Sequence, residues 1–135
     1  MGIDYGSVRI GLALSDPLKI IASGLTTIQN DDRCLDIILS IIMEQNVEKI
    51  IVGKPLNLKG EIGTKAEEVL QFIKKLQERT SVEIHQIDER FTSVMAQRSI
   101  IAMGTPKKKR QQNKGKVDEV ASAILLQGYL DTVKR

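Results

Sequence analysis

Apolar and polar positions follow two different periods along this chain, and the changes from one to the other divide it into nine elements. Short apolar runs bounded by glycine, proline or acidic residues predict strands, whereas apolar residues recurring every three or four positions predict helices. The predicted strands are Met1–Tyr5, Ile10–Ser15, Ser23–Ile28, Lys49–Val52 and Val82–Ile87. The predicted helices are Asp32–Gln45, one that begins at Thr64, Thr92–Met103 and Val117–Val133.

The order of these elements, β-β-β-α-β-α-β-α-α, predicts the architecture. A meander of three strands followed by helix-linked strands indicates a five-stranded mixed sheet with helices on both faces and the first strand in a central position. The helix that begins at Thr64 has Glu67 three residues later, a spacing typical of a capping box. No repeat or linker interrupts the 135 residues, so we expect residues 1–135 to form one α/β domain.

Cysteine content and hydropathy indicate the cellular compartment that we expect for the protein. The single cysteine, Cys34, has no partner for an internal disulfide, which fits a reducing cytoplasm. The first residues lack the basic and apolar regions of a secretory signal, and no apolar run is long enough to span a bilayer. We therefore expect a cytoplasmic protein with no membrane partner.

The charge is unevenly distributed. The net charge is +3, but the segment Gly104–Lys116 contains six basic residues and no acid, which leaves 14 basic and 17 acidic residues elsewhere. A basic segment on a mildly acidic body favours contact with a polyanion such as nucleic acid, although lysine-rich loops are also common as solvated surface. The six residues are Lys107, Lys108, Lys109, Arg110, Lys114 and Lys116.

Three carboxylates stand at positions that suit a metal site. Asp4 lies in an apolar strand, Glu89 follows a later strand, and Asp118 opens the last predicted helix on the same face as Ala121 and Leu125. Each has an ordinary explanation: a turn cap beside Gly6, a solvated strand end, and a helix start favoured by the macrodipole. Together, and without histidine or cysteine neighbours, they would suit Mg²⁺ or Mn²⁺ rather than zinc.

Further polar residues follow the predicted strands. Arg9, in the turn between the first two strands, could bind phosphate through its planar guanidinium group. Lys54 and Asn57 follow a buried strand, where α/β sheets commonly bind ligands, but either could belong to an ordinary surface loop. The only histidine, His85, lies within a strand and is best explained as structural.

Four blocks of this sequence resemble the YqgF/RuvX-like family of the RNase H-like nuclease superfamily. The blocks are GIDYGSVRIGLALSDP (2–17), VGKPLN (52–57), DERFTS (88–93) and NKGKVDEVASAILLQGYL (113–130). Members of this family are named as Holliday junction resolvases and as pre-16S rRNA nucleases. The resemblance covers essentially the whole chain and implies the RNase H-like fold and a nuclease that uses two divalent ions.

The resemblance also assigns roles to residues. It implies that Asp4, Glu89 and Asp118 are the catalytic acids and hold two ions of Mg²⁺ or Mn²⁺, with Asp88 a less certain ligand. It implies that the basic segment before Asp118 holds the nucleic-acid backbone, and Arg9, Lys54, Asn57 and Arg90 join it as candidate contacts. Repulsion among three acids without metal leads us to expect that metal stabilises the fold.

Three other classes of function remain open on the sequence: a nucleic-acid-binding module without activity, an actin-like or sugar-kinase-like ATPase, and a structural ribosome-assembly protein. The ATPase hairpin has a similar Asp-x-Gly pattern, but such enzymes close two domains on the nucleotide and this chain supplies one. With only four aromatic residues, recognition of backbone and shape is favoured over base stacking. We therefore expect the substrate to be structured RNA or branched DNA and the protein to be a monomer or weak homodimer. Processing at the 5′ end of pre-16S rRNA is slightly favoured, because one small active site is enough for it.

Overall fold

The structure is a computed structural model that describes residues 1–54, 63–88 and 114–133. Within these ranges the chain forms five strands and three helices. The strands are β1 (Gly2–Tyr5), β2 (Arg9–Ser15), β3 (Ala22–Gln29), β4 (Lys49–Lys54) and β5 (Glu83–Asp88). The helices are α1 (Cys34–Glu44), α2 (Thr64–Arg79) and α3 (Lys114–Val133). The predicted helix Thr92–Met103 lies outside the described residues.

The strands form one mixed sheet in the order β3-β2-β1-β4-β5. Strands β1, β2 and β3 pair antiparallel as a meander, and β4 and β5 join parallel to β1. Strand β1 is therefore central, and the predicted mixed sheet and α/β class are confirmed. Because β1 has a strand on each side and helices over both faces, Ile3 is fully buried and even Asp4 is only 4% exposed.

Alternation along the strands divides the buried side chains between two cores. Ile3, Ile10 and Val52 point to one face, where they pack with apolar residues of α1 and α2. Ala13 and Ile51 point to the other face, where they pack with residues of α3. The predicted placement of helices on both faces is confirmed.

Two local predictions are wrong. Helix α2 has Gly63 as its N-cap, with no side-chain capping bond, so Thr64 and Glu67 do not form a capping box. Thr64 is one residue too late to cap the helix, and the Glu67 N–H instead donates to the carbonyl of Gly63 at 3.1 Å. Helix α3 begins at Lys114 rather than Val117, since the low helix propensity of Gly115 obscures the earlier start.

No helix in the described part of the chain is both long and apolar enough to cross a membrane.

Candidate metal and nucleic-acid site

Asp4 is a buried carboxylate on the central strand, facing α3. Its neighbour two positions back, Gly2, lies so close to α3 that an added Cβ would stand 2.8 Å from the carbonyl oxygen of Ser122. Residues two apart in a strand share a face, so Asp4 points toward the same side of the sheet. Burial of a carboxylate is costly unless charged or hydrogen-bonding partners compensate it, which makes this position a candidate site rather than ordinary core.

Asp118 is held beside Asp4 by the close approach of α3 to the sheet. Gly11 of β2 is the cross-strand partner of Asp4. A Cβ at Gly11 would overlap the backbone carbonyl group of Asp118, so only glycine leaves room for the helix here. Residues opposite each other on antiparallel strands have Cα atoms roughly 4.5–5.5 Å apart. Two of the predicted acids, separated by more than a hundred residues in sequence, therefore converge on Gly11.

The start of α3 changes the interpretation of Asp118. Because the helix begins at Lys114, Asp118 lies beyond its first turn, which contains no acidic residue. The macrodipole therefore offers little reason for an acid at this position, since its effect falls off within the first turn. The predicted face is observed: Ala121 and Leu125 are buried, as is Ser122 beside them, and the Asp118 side chain is 20% exposed.

Arg9 provides the counter-charge of Asp118. Its Nε donates to Asp118 Oδ2 at 3.1 Å, and the arginine side chain is 29% exposed. Arg9 and Gly11 lie two residues apart on β2 and so face α3 together. Arg9 was predicted as a candidate phosphate contact, and in the structure its Nε bonds to a candidate metal ligand.

Asn30 positions the turn between β1 and β2, and it was not among the residues predicted for the site. Its Nδ2 donates to the carbonyl of Gly6 at 2.8 Å, and its backbone N–H donates to the carbonyl of Val8 at 3.0 Å. These bonds fix the turn between Asp4 and Arg9 to the end of β3. An asparagine two residues after the predicted strand Ser23–Ile28 was the signal, but nothing in the sequence indicated which turn it would bind.

Lys54 and Asp88 lie opposite each other at the carboxyl ends of β4 and β5. Ile87 packs in the core beneath α3, so alternation directs Asp88 to the opposite face from Asp4. The described part of the structure therefore does not bring Asp88 into the group formed by Asp4 and Asp118.

The remaining predicted site residues are not described. Outside the described residues lie Glu89, Asn57, Arg90, Lys107, Lys108, Lys109 and Arg110. For Lys114 and Lys116 only the backbone is described, and it is helical. Among the described residues there is no group of three metal-ligating side chains, so this part of the chain contributes two carboxylates and the third predicted ligand, Glu89, stays a prediction.

The described donors fit a hard divalent cation. Mg²⁺ and Mn²⁺ prefer oxygen ligands, and Asp4 and Asp118 supply carboxylate oxygens on one side of the sheet. The softer side chains lie elsewhere. His85 contacts Glu83 at 2.9 Å on strand β5. Cys34 is buried in the core on the other face of the sheet, and burial raises the pKa of its thiol.

Comparison with known proteins agrees with this fold. The architecture superimposes on a solved structure titled "T. thermophilus RuvC in complex with Holliday junction substrate", with a TM-score of 0.60, 15% identity, and coverage of 98% of this chain and 93% of that chain. The fold is therefore the RNase H-like fold of that protein.

The sequence places the chain more narrowly. The model of the RuvX family, described as "Holliday junction resolvase", matches residues 1–132. A protein of Bacteroides fragilis is 41% identical over 133 residues, covering 98% of this chain and 95% of its own length. A protein of Roseiflexus sp. is 42% identical over 134 residues, covering 98% and 93%. Both carry the name "Putative pre-16S rRNA nuclease". The chain belongs to the RuvX family, and the resemblance seen in its sequence is confirmed.

Proposed function

We propose that this chain is a metal-dependent endonuclease that hydrolyses phosphodiester bonds in nucleic acid, and that its substrate is the precursor of 16S rRNA. One observation carries the proposal: the buried carboxylate of Asp4 and the carboxylate of Asp118 converge on Gly11, with Arg9 beside them. Two carboxylates brought together from a central strand and a packed helix can supply oxygen ligands to a divalent cation.

In this proposal Asp4, Asp118 and Glu89 hold Mg²⁺ or Mn²⁺, with Asp4 as the central ligand. A cation held by these residues would activate a water molecule and stabilise the leaving oxygen. The chain itself orients the acids, through the close packing of α3 on Gly11, and balances their charge with Arg9. The basic residues from Lys107 to Lys116 hold the phosphate backbone, where cations contribute affinity without reading sequence.

The names of the relatives favour ribosomal RNA as the substrate, and a single cut in a precursor needs only one active site. A second candidate is a four-way DNA junction, which the description of the matching family favours. Symmetric resolution of a junction needs two sites and therefore a dimer with two-fold symmetry. The two candidates differ in substrate and in oligomeric state, and one assay can separate them.

The test compares cleavage of a pre-16S 5′-end RNA fragment and a four-way DNA junction, each with Mg²⁺, Mn²⁺ or EDTA. The wild type is compared with Asp4→Asn and with Asp36→Asn as a matched control. Asp36 is a surface acid that pairs with Arg79 and lies on the other side of the sheet. Asp36→Asn therefore alters the net charge as Asp4→Asn does, but away from the candidate site.

We expect metal-dependent RNA cleavage by the wild type and by Asp36→Asn, and none by Asp4→Asn, which should still bind RNA. Cleavage that survives in Asp4→Asn or in EDTA would contradict the metal-site assignment. Cleavage of the junction alone, by a dimer, would replace the RNA proposal with the second candidate.

A further inference from the structure

The hydrogen bond between the Arg9 and Asp118 side chains affects how a cation would bind to Asp118. Asp118 is assigned to a cation, yet its Oδ2 already accepts a hydrogen bond from the Arg9 Nε at 3.1 Å. Both side chains are mostly buried, with 29% and 20% of their surfaces exposed. An ion pair in such surroundings is screened less by salt than an exposed pair, so it matters to any cation that approaches.

The geometry leaves most of the guanidinium group uncommitted. Arg9 has five N–H donors, and the bond from Nε is the one that it makes within the described residues. Its terminal nitrogens have no partner in that part of the structure. The side chain is therefore anchored at one point and can turn away from Asp118 without losing a second contact there.

A divalent cation and a guanidinium group repel each other when they share one carboxylate. Loss of the Nε bond is compensated if the released arginine meets an anionic phosphate of the substrate, for which its planar fork is well suited. The position of Arg9 on β2, facing α3 beside Gly11, leaves it within the same site after release.

We propose that Arg9 is the resident counter-ion of Asp118, and that a divalent cation displaces it from the carboxylate and frees its guanidinium group for the substrate phosphate. This inference rests on the proposed metal site. It makes Arg9 a positioning residue in the metal-free protein and a competitor of the metal.

The first test measures Mn²⁺ affinity by isothermal titration calorimetry, without nucleic acid. Removal of the competing charge in Arg9→Gln should tighten Mn²⁺ binding by about 3- to 10-fold, because the repulsion between the two cations is lost. Arg9→Lys keeps the charge and should bind Mn²⁺ within about twofold of the wild type. Arg79→Gln removes an equally charged partner from the exposed pair with Asp36, and should leave the affinity unchanged.

A second test is made on the isotope-labelled wild type, with Arg9→Lys serving only to assign the signal. In ¹⁵N-labelled wild type, the Nε–H signal of Arg9, assigned by its loss in Arg9→Lys, should be protected from solvent exchange without metal. Saturation with Mg²⁺ should increase its exchange rate by at least about tenfold, as expected when a partly buried hydrogen bond opens. This measurement tests whether metal displaces Arg9 from Asp118 even if Arg9→Gln does not fold.

The outcomes separate this inference from the proposed function. Unchanged or weaker Mn²⁺ binding by Arg9→Gln, or an Nε–H that stays protected in Mg²⁺, overturns the role of Arg9 alone, provided that the wild type binds metal and Asp4→Asn does not. Absence of saturable metal binding in the wild type overturns both the metal site and this inference.

Discussion

Gly11 of β2 lies directly against the backbone of Asp118 in α3, with no room for a Cβ between them. Gly11 is also the cross-strand partner of Asp4. One residue without a side chain therefore sets the spacing between the two acids that the site requires. Close backbone packing shapes this candidate site as much as the acids themselves do.

Gly11→Ala should push the start of α3 away from the sheet. Insertion of a methyl group into a well-packed contact costs roughly 1–3 kcal/mol of unfolding free energy, and displacement of Asp118 should also abolish cleavage. Gly128→Ala is the control, since an added Cβ there meets nothing within 4 Å and alanine is the better helix former. Urea unfolding of both variants tests this, and equal stabilities would contradict the close contact.

Saturating Mn²⁺ or Mg²⁺ should raise the melting temperature of the wild type. A ligand that binds only the folded state stabilises it by about 2.7 kcal/mol at a hundred times its Kd. Asp4→Asn should show a much smaller shift, because it loses the central ligand. Differential scanning fluorimetry across a metal titration measures both, with Asp36→Asn as the control that should behave as the wild type. An equal shift in all three proteins would place the metal elsewhere.

Asn30→Ala should loosen the turn that joins Asp4 to Arg9. Loss of the bond to the Gly6 carbonyl should cost about 0.5–1.5 kcal/mol of stability, and cleavage should fall further than stability because both site residues flank this turn. Gln127→Ala is the matched control for a lost side-chain amide. The Gln127 amide accepts from the Ala22 N–H at 2.8 Å and donates to the Ile20 carbonyl at 2.9 Å, and it lies toward the far end of α3. Gln127→Ala should lose stability but retain cleavage. A parallel loss of cleavage in both would reduce Asn30 to a purely structural role.

Asp16 should make stability depend on pH in the acid range. Its Oδ1 accepts the backbone N–H groups of Ile20 and Ile21 at 2.7 and 2.9 Å, and these bonds lower the pKa of its carboxyl below the ordinary value of 3.8. A lowered pKa in the folded state means that the charged form contributes stability at neutral pH, and that this contribution is lost as pH falls through the folded pKa. The midpoint of urea unfolding should therefore be higher for wild type than for Asp16→Asn at pH 7, and the difference should shrink below pH 3.8. A difference that grows on acidification would contradict this sign.

Neutralisation of the basic segment Gly104–Lys116 should weaken binding to nucleic acid of any sequence. Each phosphate contact contributes about 0.7–0.9 to the slope of log K against log salt concentration, so glutamine at residues 107–110 should reduce that slope. The control replaces four cations of α2, on the other face of the sheet, and should leave the slope near that of the wild type. These control residues are Lys65, Lys74, Lys75 and Arg79. Unchanged binding in the first variant would leave the segment as solvated surface.

Periodicity alone predicted much of the architecture. The alternation of Ile3, Asp4 and Tyr5 already indicated that the acid and its neighbours face opposite sides of the first strand, and the element order indicated that this strand is central. These features are local, or follow from general rules of chain connection, so they can be inferred without tertiary contacts. The predicted capping box was wrong because the N-cap is Gly63, one residue before Thr64. Sequence periodicity does not fix a helix boundary to a single residue.

The sequence by itself determined the family, the mixed sheet and the identity of Asp4 and Asp118 as candidate ligands, because strand and helix periods and residue chemistry are local properties. Only the tertiary structure decided that α3 packs directly on Gly11 and that Arg9 bonds to Asp118 across 109 positions. It also decided that Asn30 fixes the turn between Asp4 and Arg9. It also directed Asp88 to the face opposite Asp4. Such relationships depend on the distance between elements after packing, and that distance is set by side-chain volumes on both surfaces at once.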